Sequence, residues 1–102
     1  MFMTPKIAIP YDKIAEFCEK NHIRKLSLFG SVLRDDFTEN SDVDVLVEFE
    51  PGARVGLAFF GMGEQLSEII GRKVDFNTEG FLSKYFVDKV KREAMTLYDR
   101  AR

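Results

Sequence analysis

The run from Asp42 to Phe49 admits few folds. Val43, Val45, Val47 and Phe49 fall on one side of a period of two, and Asp42, Asp44, Leu46 and Glu48 fall on the other. That alternation describes a strand with one face in a core and charge on the opposite face. A strand of this kind must pair and must be covered, so the rest of the chain is read for what pairs with it and what covers it. Arg24 to Phe29 alternates in the same way, with Leu26 and Leu28 together, and stops at Gly30-Ser31, which predicts a strand entering a tight turn. Lys73 to Asn77 predicts a third, short strand.

Helical spacing supplies the cover. Ile14, Phe17, Cys18 and His22 recur behind Pro10, predicting a first helix over Tyr11–Asn21. A second helix follows the Pro51-Gly52 turn. It is expected to turn Leu57, Phe60, Leu66, Ile69 and Ile70 inward, to be weakened by Gly61 and Gly63, and to close at Gly71 as its C-cap. After a turn at Thr78 to Gly80, Ser83 can cap a last helix whose stripe is Val87, Val90, Ala94, Leu97 and Ala101. The order α-β-(turn, short α)-β-α-β-α predicts an α/β (α+β) fold, a small mixed β-sheet with helices packed on it. With 102 residues, residues 1–102 are expected to make one domain. A chain of that size buries only about 60 to 65% of its unfolded surface, so it is marginal alone and leans on a ligand, a metal or a partner.

Composition excludes several functions. One cysteine forbids an internal disulfide, and with His22 the only histidine there is no ligand set for a thiolate zinc site. Both points suit a reducing cytoplasm. The longest mostly apolar stretch, Gly56 to Gly63, is far short of the ~20 residues that span a bilayer, and Met1 to Pro5 is not a signal peptide; no membrane role is expected. The net charge of −2 is uninformative, but its distribution is not. Seven acids and no base lie between Asp35 and Glu50, whereas Leu82 to Arg102 holds six bases against three acids.

Within the acidic block, Asp42 and Asp44 share one face of their strand. Two carboxylates ~5 Å apart repel by about 3 kcal/mol at an effective dielectric of ~20, a cost that a divalent cation removes. Magnesium takes one or two carboxylates plus phosphate oxygens and water. Taken alone, such a pair also describes the wet face of an edge strand. Gly30-Ser31, separated from Asp42 by ten residues, adds a turn whose glycine admits a ligand close to the backbone and whose amides and hydroxyl suit phosphate; its plainer reading is an ordinary turn and helix cap. Arg34, one turn along the same short helix, can present its guanidinium to that phosphate or pair with Asp35 or Asp36. Asp75 points away from Val74 and Phe76, and becomes a third carboxylate if its strand lies beside that of Asp42. Three acids opposite a phosphate-binding turn suit two-metal phosphoryl or nucleotidyl transfer.

Gly30-Ser31, ten residues, then Asp42-Val43-Asp44 resembles the pattern of the DNA polymerase beta-like nucleotidyltransferase superfamily. The resemblance is greatest to the minimal nucleotidyltransferases (MNT) of prokaryotes, antitoxins paired with HEPN toxins. It covers nearly the whole chain, through Gly30-Ser31-x-x-Arg34, Ser41-Asp42-x-Asp44-x-x-Val47, Gly71-Arg72-Lys73-Val74-Asp75 and a late helix with Tyr98. It departs at Asp35, where relatives commonly carry glycine after the arginine. The resemblance implies that Gly30 and Ser31 hold the triphosphate, that Asp42 and Asp44 bind two magnesium ions, and that Asp75 completes the metal site. The implied reaction is attack of an acceptor hydroxyl on the α-phosphorus of ATP, releasing pyrophosphate and leaving AMP on the acceptor. The chain has no room for a substrate domain, so the expected acceptor is another protein, a tyrosine of the HEPN toxin. Two other functions fit the same residues: a non-catalytic antitoxin that occludes its toxin, and a small-molecule nucleotidyltransferase completed by an oligomeric neighbour. The plainer expectations are Cys18 in the core and His22 at a cap or the surface. The basic last helix is expected to be a solvated or partner-facing surface, with direct nucleic-acid binding disfavoured. Phe59, Tyr85 and Phe86 suit a homo-oligomer or partner interface, or the core.

Overall fold

Every segment whose pattern has a single period takes the form that period dictates. A computed structural model describes residues 7–100, without the side chain of Phe81. Helix α1 (Tyr11–Lys20) leads to strand β1 (Ile23–Phe29), a one-turn 3-10 helix (Gly30–Leu33) and strand β2 (Val43–Phe49). Helix α2 (Ala58–Ile70), strand β3 (Val74–Asn77), a second 3-10 turn (Glu79–Phe81), helix α3 (Lys84–Glu93) and strand β4 (Met95–Asp99) complete the order. The sheet runs β3-β2-β1-β4. Strand β1 is antiparallel to both β2 and β4, while β2 and β3 are parallel. A parallel pair needs a long crossover, and α2 supplies it.

The odd-numbered face of β2 makes the core. Val43, Val45 and Val47 are buried with Leu26 and Leu28 of β1 against Ile14, Phe17 and Cys18 of α1 and Met62 and Leu66 of α2. Cys18 is fully buried, and burial pushes its thiol up to about 12, so it packs as a small apolar residue. The even-numbered face carries Asp44 and, two residues on, Leu46. Leu46 is buried in a second cluster with Phe29 and Val90 of α3, so α3 covers the acid-bearing face just beyond the acids. Gly71 ends α2 in the left-handed region and donates its N–H to Ser67 O at 2.8 Å, and Ser83 caps α3 by accepting from Phe86 N at 3.2 Å, as expected. His22 is exposed and left-handed just past α1, where its carbonyl accepts from Glu50 N at 2.8 Å.

Three expectations fail. The last helix stops at Glu93, with Ala94 extended at its C-cap, and Leu97 and Tyr98 lie in β4; Ala101 lies outside the described residues. Leu97 satisfies a helical stripe and a strand alternation equally well. The unpaired edge of β1 decides between them, because its N–H and C=O groups need partners. Leu57 and Phe60 do not face inward; they are 85% and 72% exposed. Helix α2 begins only at Ala58, which rotates Phe59 to the sheet, against Phe49 and Phe76. Gly63, read as a weak point, is where α2 approaches β3: a Cβ there would sit 3.2 Å from Phe76 Cβ. Third, the short helix at Gly30 is a single 3-10 turn, and Arg34 has left it with extended backbone.

Candidate active site

The pairing of β2 with β3 brings the acids together. Asp44 and Asp75 are register partners on parallel strands, and Asp42 lies one residue before β2. Val43 N donates to Lys73 O at 2.9 Å, which holds the lead-in to β3 beside Asp42. Arg72 stiffens the same corner from the loop side, donating to Thr38 O at 2.8 Å and resting 4.6 Å from the centroid of the Phe37 ring.

Asp44 carries the electrostatic cost of this crowding. Its pKa is raised from 3.8 to about 6, first by burial, then by the charge of Asp75 and the hydrogen bond that the two side chains share, then by the charge of Asp42; Arg34 pulls it partly back. Lys73 Nζ lies 4.0 Å from Asp42 Oδ2, on two exposed side chains, a weak pair. Among the described residues no group of three His, Cys, Asp or Glu is already set to hold a metal ion. Carboxylates are hard oxygen donors of the kind magnesium takes one or two at a time, with phosphate oxygens and water in its remaining positions.

Gly30 meets this cluster from β1. Phe29 is the register partner of Asp44, and Gly30, with φ of 77°, lies so close that a Cβ on it would overlap the Asp44 carboxylate. Only glycine fits both the backbone angle and the approach. Ser31 is half-buried beside it. A 3-10 turn of four residues has almost no aligned dipole, so any phosphate affinity here rests on individual amides and the Ser31 hydroxyl. Arg34 Nε lies 3.3 Å from Asp36 Oδ1, both exposed, the surface pairing that was one of its two readings; Arg34 also lies near enough to lower the Asp44 pKa. The structure thus gathers Asp42, Asp44, Asp75, Gly30 and Arg34, with Ser31 adjoining.

Two hollows flank the acids. One of about 200 Å³ is lined by Gly30, Leu33, Arg34, Lys89 and Glu93. Another of about 300 Å³ is lined by Ser41, Asp42, Gly71, Arg72 and Lys73 among others. A third, of about 250 Å³ between α1 and α2, is remote from the acids. Lys73, Lys89 and Glu93 are missed in the sequence. Lys73 immediately precedes β3, two residues from Asp75, a findable signal; Lys89 and Glu93 become neighbours of Gly30 only through the docking of α3.

Comparison with known proteins follows the same outline. A family model described as the nucleotidyltransferase domain matches residues 11–97. The chain is 34% identical over 80 residues to the protein adenylyltransferase MntA of Thermococcus cleftensis, covering 78% of this chain and 80% of that protein. A solved structure provisionally described as a minimal nucleotidyltransferase superposes with a TM-score of 0.69 at 30% identity, over 83% of this chain and 86% of that one. A chain from the complex of a tri-AMPylated Shewanella oneidensis HEPN toxin with MNT antitoxin superposes with a TM-score of 0.62 at 20% identity, over 87% of this chain and 69% of that one, a likeness of fold.

Proposed function

Since the chain belongs to the nucleotidyltransferase domain family, in its minimal MNT form, we propose that it is an antitoxin that transfers AMP from ATP to a tyrosine hydroxyl of a HEPN toxin, with magnesium. The observation that carries the reading is the seating of Gly30 on Asp44. It puts a backbone able to approach phosphate directly against a carboxylate whose charge is held down by burial and by two other carboxylates. The names of the relatives support the acceptor class: one is a protein adenylyltransferase, and another structure holds an AMPylated toxin.

Each residue has a role that follows from its place. Gly30 and Ser31 bind the triphosphate through amides and a hydroxyl, and Arg34 adds positive charge beside them. Asp42 and Asp44 would hold magnesium, two ions with Asp75 completing the set. When bound, these ions neutralise the phosphates and polarise the reacting oxygens. Asp75, on the edge strand and exposed, faces the approach of the acceptor. The reaction forms a bond from the acceptor oxygen to the α-phosphorus and breaks the bond to the pyrophosphate, with the acceptor proton lost to a neighbouring base or to solvent.

The test offers three acceptors in parallel to the protein, magnesium and α-labelled ATP: the co-encoded neighbour, an aminoglycoside and a free nucleotide. Label is expected on the co-encoded protein alone, and to fall about a hundredfold or more in Asp42→Asn and Asp44→Asn. Label on a small molecule instead would replace the acceptor class. No label anywhere, with toxin inhibition intact in both variants, would leave a purely occluding antitoxin.

A further inference from the structure

Helix α3 brings a cation to the phosphate side of the site. It is fixed there by Val90, which packs on Phe29 and Leu46, the residue before Gly30 and the residue two beyond Asp44. Lys89, next to Val90, is thereby carried to the hollow that Gly30 and Arg34 also line. Its neighbours on α3 differ from it: Lys91 is paired with Glu79, whereas Lys89 is exposed and has no ion pair among the described residues. Glu93, one turn further along α3, lines the same hollow.

Gly30 touches the Asp44 carboxylate and also lines the hollow shared by Arg34 and Lys89, so the acids and the two cations meet at this one residue. A nucleoside triphosphate whose α-phosphate sits at the acids has its β- and γ-phosphates left to place, and these carry most of its charge. We propose that Lys89, together with Arg34, receives the β- and γ-phosphates and the departing pyrophosphate, and that Glu93 opposes them there and weakens the hold on product. A lysine suits this task as a mobile point charge. This inference rests on the nucleotidyltransferase reading but needs no acceptor.

Direct titration of the whole protein with Mg-ATP and with AMP, before any acceptor is added, tests it. Lys89→Met is expected to weaken Mg-ATP by about tenfold to a hundredfold while leaving AMP unchanged, and Lys89→Arg to keep most of the affinity. Glu93→Gln is expected to tighten Mg-ATP by about two- to threefold, a gain that a merely structural Lys89 would not predict. Equal losses for ATP and AMP in Lys89→Met, or no loss at unaltered melting temperature, would overturn the assignment of Lys89. A wild-type protein that binds no Mg-ATP would overturn the nucleotidyltransferase reading along with it.

Discussion

Asp44 is the residue at which folding and function pull in opposite directions. Its pKa rises from 3.8 to about 6 on folding, so between about pH 4 and pH 6 the folded state binds the extra proton. Stability of the metal-free protein should therefore fall as pH rises through that window and level off above it. Asp44→Asn should abolish the slope and, at pH 7, raise stability by about 1 kcal/mol after allowing for solvent screening, or roughly 4 to 8 °C. Thermal melts across pH check both, and a variant less stable than wild type at pH 7 would contradict the crowding. Gly30→Ala should do the reverse. The left-handed angle costs about 1 kcal/mol for a side chain, a modest loss in melting temperature. The new Cβ would displace the Asp44 carboxylate, so AMP transfer should fall far more steeply than stability.

At the scale of elements, the placement of Asp75 depends on how α2 holds β3. Ser67 on α2 donates its hydroxyl to Gly63 O at 2.9 Å and accepts from Val74 N at 3.0 Å, linking the helix to the first residue of the strand. Ser67→Ala leaves the half-buried Val74 amide without that partner, which should cost about 1 kcal/mol. Hydrogen exchange is expected to show faster opening of β3 than of β1, and an unchanged β3 would rule out this coupling. Legibility also divides along elements. Strand β2 was readable because its alternation is strict, and so were the C-terminus of α2 and the N-terminus of α3, because Gly71 and Ser83 are strong caps. Strand β4 was not, since the Ala94 to Ala101 pattern suits either period and only the open edge of β1 selects one. Leu57 and Phe60 were misplaced because a helix face cannot be assigned before the helix start is fixed.

For the whole molecule, charge segregation becomes a division of labour across one turn. Asp44 of β2, with its register partner Asp75 of β3, lies against Gly30, and Arg34 with Lys89 of α3 lines the hollow that Gly30 shares. The spacing of Gly30-Ser31 and Asp42-x-Asp44 was legible, and so was the resemblance it carries. The approach of Gly30 to Asp44 and the arrival of α3 were not, because both depend on tertiary docking. Mg-ATP should stabilise the protein by about 2.7 to 4.1 kcal/mol at about 100 to 1,000 times its dissociation constant, and Asp44→Asn should lose most of that gain. On the proposed function, the most direct measurement is the intact mass of a HEPN-type toxin offered as partner, after incubation with this protein, ATP and magnesium. The wild-type protein should add AMP to a toxin tyrosine, and Asp44→Asn should leave the mass unchanged while still binding the toxin. A toxin silenced at unaltered mass by both proteins would contradict the account.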